Sequence, residues 1–147
     1  MTRRERTGDA GSGTVEFVWL AVLLLVPAVY ILIAVFDVQR AAYGASAASK
    51  AAARAFLLAP DVAAAHRGAE QAARLALADQ DVEGASISIV CTPRPDDCLT
   101  TGSSVRVVVR ATQPLPMTPS ALGDQIAAVT VDSTHVEPYG TYRADRK

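Results

Sequence analysis

One acidic residue, Glu16, stands at the start of the longest apolar run in the chain, directly before Phe17. Moving an ionised carboxylate into hydrocarbon costs about 2.5–3.5 kcal/mol at the centre of a bilayer, so its position calls for an explanation. Two interpretations are open. Glu16 either marks the membrane interface and caps the positive end of a helix, or it pairs with a cation.

A cation becomes available if the chain is cut four residues earlier. Cleavage after Gly11 would leave Ser12 with a free ammonium group, one helical turn from Glu16. When such chains pack side by side, the amine of one chain can neutralise the carboxylate of its neighbour. If one helix were displaced along its axis relative to its neighbour, a charge would be left unpaired inside the apolar helix bundle. The spacing therefore predicts that Glu16, followed by Phe17, sets the packing register between subunits.

The two cysteines, Cys91 and Cys98, flank a turn-rich run at residues 92–97. Two cysteines cannot supply the four ligands of a structural zinc ion, and their spacing is not C-x-x-C. A local disulfide that closes a β-hairpin is the favoured interpretation, and two free thiols are the alternative. Because disulfides persist in oxidising compartments, the first interpretation places this part of the chain outside the cytoplasm.

Other reactive residues form no recognisable catalytic motif. The sequence has no Walker loop, no G-x-G-x-x-G, no H-E-x-x-H and no G-x-S-x-G. Asp96 and Asp97 lie in a Pro-rich turn, His66 fits a solvated helix position, and His135 and Glu137 have strand spacing. With a net charge of −1, nothing points to nucleic acid. We expect no enzyme activity, no cofactor, no metal and no small-molecule substrate.

The element that must position Glu16 is a membrane helix. Twenty residues from Phe17 to Phe36 carry no charge, which gives about 30 Å of helix, the thickness of the bilayer core. A secretory signal has a shorter apolar region, roughly 7–15 residues, and a small-residue cleavage site after it. The three arginines of the leader at residues 1–11 favour a cytoplasmic N-terminus. We therefore expect a single-pass protein of the cell membrane, with the chain after Asp37 outside.

This arrangement resembles a class III signal peptide. A basic leader, Gly11, four small or apolar residues, Glu16-Phe17 and a long Leu/Val run containing Pro27 are most similar to the TadE-like family. That family comprises minor pseudopilins of tight-adherence (Flp) pilus systems. The resemblance is strongest from Gly11 to about Ala55.

The resemblance implies a processing site and a set of partners. A prepilin peptidase would cut after Gly11 and leave Ser12 as the mature N-terminus, a residue that fits the TadE-like pattern better than the aromatic start of major pilins. The partners would be the lipid bilayer, this peptidase, other pilin-like subunits and pilus assembly proteins. Two other classes stay open: an uncleaved, signal-anchored protein with an extracellular binding head, and an enzyme of the envelope.

Beyond the predicted span at residues 12–36, the helical pattern continues through an Ala-rich extension at residues 37–58. Four alanines recur there at helical spacing: Ala41, Ala45, Ala48 and Ala52. They form either a packing surface for partner helices or one side of a solvated stalk. Pro60 ends the helix, and Asp61 is predicted to cap a second, amphipathic helix from Val62 to about Ala78.

The period of the apolar pattern then changes from helical to alternating. We predict strands at Ala85–Cys91, Val105–Ala111 and about Ala127 to Thr134, with a loop at Gln113–Gln125. A three-stranded antiparallel sheet packed on a helix is a stable arrangement. The expected fold class is α+β and pilin-like: a long N-terminal helix, a second helix and this sheet. The outer domain should span residues 61–134, with a disordered tail at 138–147.

Overall fold

The computed structural model describes residues 12–115 and 128–146. It contains two helices and one three-stranded antiparallel sheet in the order β1-β2-β3, which confirms the predicted α+β class. The elements are α1 (Ser12–Leu58), α2 (Val62–Ala78), β1 (Ser86–Thr92), β2 (Ser104–Pro114) and β3 (Ala128–Pro138).

The chain divides into two compact units, residues 1–35 and residues 36–147. The described part of the first unit is a stretch of α1. The second unit, here called the head, contains the rest of α1 together with α2 and the sheet. The helical extension predicted at residues 37–58 thus belongs to the same compact unit as the α+β domain.

The four alanines that recur at helical spacing in α1 lie inside the head. Ala41, Ala45, Ala48 and Ala52 are each at most 1% exposed, because elements of the same chain cover them. Their small side chains allow the helix backbone to approach its neighbours closely. The strip is therefore neither a surface for partner helices nor the side of a solvated stalk, and both alternatives are corrected.

A hydroxyl pair joins α1 to the sheet within this apolar layer. The Ser49 hydroxyl donates to Ser46 O (3.1 Å), so it accepts from the Ser133 hydroxyl on β3, 3.2 Å away. Ser49 is fully buried. The contact shows which face of β3 points toward the helices, namely the face that also carries Val131 and His135.

The second helix begins and ends where the sequence predicts. The backbone N–H of Ala64 donates to Asp61 Oδ1 at 2.7 Å, so Asp61 is the N-cap. The buried residues of α2 recur at helical spacing and form one apolar stripe: Ala65, Ala69, Ala73 and Leu77. This stripe covers part of the same core as the alanines of α1.

The sheet has one covered and one open face. Val105, Val107 and Val109 are fully buried, whereas Arg106 and Arg110 between them are exposed, as the alternation predicts. Strands β2 and β3 are longer than predicted because pairing continues to Pro114 opposite Ala128 at one end and to Ser104 opposite Pro138 at the other. The start of the predicted Gln113–Gln125 loop is therefore strand, and residues 116–127 lie outside the described residues.

The C-terminal segment is held in place rather than free. Tyr139 is 1% exposed, its N–H donates to Ser103 O at 2.8 Å, and its hydroxyl donates to Ala144 O. Further along, the N–H of Arg146 donates to Leu99 O at 2.9 Å. The structure thus differs from the expectation of a disordered tail, since burial of the Tyr139 ring anchors the segment through Arg146.

Candidate functional site

The first turns of α1 carry the residues that the sequence analysis singled out. Gly11 lies outside the described residues, and Ser12 is the first residue of the helix. Glu16 and Phe17 are exposed, Phe17 to 72%. Within residues 12–115 and 128–146, no basic side chain forms a salt bridge with Glu16. Glu16 lies one helical turn after Ser12, on the same face of α1.

The helix that follows Glu16 presents apolar side chains to its surroundings on every side. Its most apolar window of 18 residues has a mean hydropathy of 2.8 and no buried residue. Trp19, Leu25 and Ile31 are each at least 60% exposed. Pro27 lies within the helix without ending it. Soluble monomers rarely expose so large an apolar surface, and by length and composition this helix is able to cross a membrane.

The two cysteines are joined in a disulfide, in agreement with the favoured interpretation. Their Cα atoms are 5.2 Å apart, and both side chains are buried. Cys98 O accepts a hydrogen bond from the Ser103 hydroxyl at 2.6 Å, which fixes the loop against the start of β2. Within the closed loop, Arg94 and Asp97 form a salt bridge of 2.9 Å. The disulfide therefore closes the β1–β2 connection.

The remaining titratable candidates lie apart from one another. His66 is exposed on α2, and its ring packs edge-on against Phe56 with centroids 5.1 Å apart. His135 Nε2 lies 3.5 Å from Glu137 Oε2, and both side chains are about one-third exposed. That Glu137 oxygen is buried and has no hydrogen-bond partner among the described residues. Of these candidates, only His135 and Glu137 lie together among the residues that the structure describes.

The sequence analysis missed a group of arginines at the C-terminal end of α1. Arg143 Nη1 donates to Leu57 O (2.8 Å), and Arg146 Nη1 donates to Ala59 O (2.7 Å). The last carbonyls of a helix need partners from elsewhere, and α1 has no basic residue in its last turn and no glycine cap before Pro60. The lack of a basic residue and of a glycine cap can be read from the sequence, and it indicates that the last carbonyls of α1 need donors from elsewhere. It does not identify the C-terminal segment as the source of those donors.

Comparison with known proteins does not assign the chain to a family. No family model matches it, and no curated protein or solved structure is significantly similar to it.

Proposed function

We propose that this chain is a TadE-like minor pseudopilin, a structural and assembly subunit of a tight-adherence pilus that a prepilin peptidase processes after Gly11. The observation that carries the proposal is the position of Glu16. It is the only charged residue between Ser12 and Phe36, it lies one turn from Ser12, and an exposed apolar helix follows it.

In this proposal the negative charge of Glu16 is neutralised inside the lipid bilayer or inside a bundle of packed helices. Cutting after Gly11 removes the arginines of the leader and creates an ammonium group on Ser12. The ammonium group of one subunit then pairs with Glu16 of the next. Because an unpaired carboxylate costs about 2.5–3.5 kcal/mol in the bilayer centre, a helix shifted along its axis is disfavoured, and the pair selects one register.

The orientation is part of the same proposal. The basic leader favours a cytoplasmic N-terminus, which places the head on the far side of the membrane. The Cys91–Cys98 disulfide supports this orientation independently, because such bonds persist in oxidising compartments.

The decisive experiment measures the N-terminus of the protein extracted from native membranes. Intact mass and N-terminal sequencing should show a chain that starts at Ser12. Gly11→Val should block the cut, whereas Gly13→Ala should not, since a methyl group at Gly13 meets no atom within 4 Å. A native chain that starts at Met1 or Thr2 would favour the alternative, an uncleaved signal-anchored protein with an outer binding head.

A second experiment isolates the carboxylate. Glu16→Ala should insert into the membrane normally but fail to co-purify with the other pilin-like subunits, because the chain has lost its charge partner. Glu16→Asp serves as the matched control that retains the charge. Unimpaired assembly of the Glu16→Ala protein would show that the charge pair does not set the register.

A further inference from the structure

A cleft of about 300 Å³ opens at the C-terminal end of α1. Arg54 and Leu58 of α1, Glu137 of β3 and Arg143 of the tail are among the residues that line it. It is here called the arginine cleft. Phe36 begins the head, and Arg54 lies 18 positions further along α1, a rise of about 27 Å. Within the head, the cleft therefore lies about 27 Å along α1 from the first residue of this unit.

The side chains that line the arginine cleft carry more positive than negative charge. Arg143 is engaged, because it donates to Leu57 O at 2.8 Å and its guanidinium lies 5.8 Å from the centre of the Tyr139 ring. Arg54 is exposed and has no hydrogen bond or ion pair among the described residues. The lining of the cleft thus contains two guanidinium groups and one carboxylate, that of Glu137. A ligand that offers a carboxylate would supply the acceptor that Arg54 lacks.

The rim of the cleft indicates the kind of ligand. Leu58 lies one helical turn after Arg54 on the same face of α1 and is 69% exposed. Arginine is among the residues enriched at the energetic centres of protein interfaces, where surrounding contacts exclude water. A volume of about 300 Å³ is at the lower limit for a small-molecule site and is sufficient for one inserted side chain. These features favour a protein segment over a free metabolite.

We propose that the arginine cleft docks a partner protein through an Asp or Glu side chain flanked by apolar residues. The carboxylate of that side chain accepts hydrogen bonds from Arg54, and the apolar neighbours cover Leu58. Glu137 disfavours a dianionic phosphate, because its own carboxylate would repel the second charge. The proposal stands on the head alone and does not depend on cleavage after Gly11.

The test uses the full chain in nanodiscs of uncharged phosphatidylcholine. Two rhodamine-labelled peptides serve as probes, acetyl-Ala-Leu-Glu-Leu-Ala-amide and the same peptide with Gln in place of Glu, and fluorescence anisotropy reports binding. The acidic peptide should bind about tenfold more tightly, the contribution of one charge-assisted hydrogen-bonded pair. Arg54→Gln should reduce its affinity to that of the Gln peptide. Arg67→Gln removes an exposed arginine from α2 and should leave binding unchanged.

Three results would overturn the proposal. Equal binding of the two peptides would remove the role of the carboxylate, and unchanged binding by an Arg54→Gln protein with a normal melting temperature would remove the role of the cleft. D-glucuronate that binds at Arg54 more tightly than the acidic peptide would assign the site to an acidic saccharide instead. The N-terminal measurement at Ser12 is separate, so failure here and failure of the pseudopilin proposal are distinguishable.

Discussion

The burial of the alanine strip makes a sharp prediction about Ala48. This residue is fully buried within the head, whereas the adjacent Ala47 is exposed on the same helix. Leucine is a good helix former, so Ala48→Leu and Ala47→Leu have the same small effect on helix propensity. The two variants therefore differ in one respect, namely whether three extra carbon atoms must fit into a closed layer.

The expected magnitude follows from the packing. Added methyl and methylene groups in a filled core force side chains off their rotamers and shift the backbone, at a cost of about 1–3 kcal/mol. For a domain of this size each kcal/mol lowers the melting temperature by about 5 °C. We expect Ala48→Leu to lower the melting temperature of the head by about 5–15 °C, and Ala47→Leu to change it by less than about 3 °C.

Near-ultraviolet circular dichroism of the full chain in micelles follows the head through the buried ring of Tyr139, because a ring fixed in a packed environment loses its signal when the head unfolds. If the alanine strip contacted partner helices instead, Ala48→Leu would melt like the wild type and would lose only subunit association. Equal melting temperatures for Ala48→Leu and Ala47→Leu would therefore refute the assignment of the strip to the core of the head.

Three further changes test other parts of the head. Asp61→Ala removes the cap of α2 and should cost about 1 kcal/mol in urea unfolding, whereas Asp61→Asn, which retains a capping oxygen, should cost only a few tenths. Replacing Cys91 and Cys98 with alanine opens a short loop and should cost about 2–3 kcal/mol by the same measurement; an unchanged midpoint would show that the disulfide does not constrain the unfolded chain. Arg146→Gln removes a charged donor from Ala59 O and should cost about 1 kcal/mol, with faster hydrogen exchange in the last turn of α1 as its local signature.

Local sequence patterns were sufficient to predict most of the fold. Pro60 and Asp61 predicted where one helix ends and the next begins, because backbone sterics and capping act within a few residues. The alternation of Val105, Val107 and Val109 predicted the covered face of the central strand. These features share a short range, since each depends on the conformations open to a few consecutive residues.

The features that the sequence did not predict all depend on distant partners. Tyr139 is anchored by Ser103, and the end of α1 is capped by Arg143 and Arg146. No periodicity encodes such contacts. The helical spacing of the four alanines is compatible both with a surface that contacts a partner helix and with a surface that packs on the chain's own sheet. The pairing of Ser12 with Glu16 is an intermolecular contact and stays a prediction.

The hydroxyl pair between Ser49 and Ser133 has a consequence for how α1 is held on the sheet. A layer made only of alanine methyl groups is smooth, so sliding the helix by one turn exchanges one alanine contact for another at little cost. Because Ser49 also donates to Ser46 O, separating the two hydroxyl groups costs the net contribution of one hydrogen bond, about 0.5–1.5 kcal/mol. The pair therefore favours one axial position of α1 on the sheet, together with the buried ring of Phe56, and Ser133→Ala should remove this contribution while leaving the alanine layer intact.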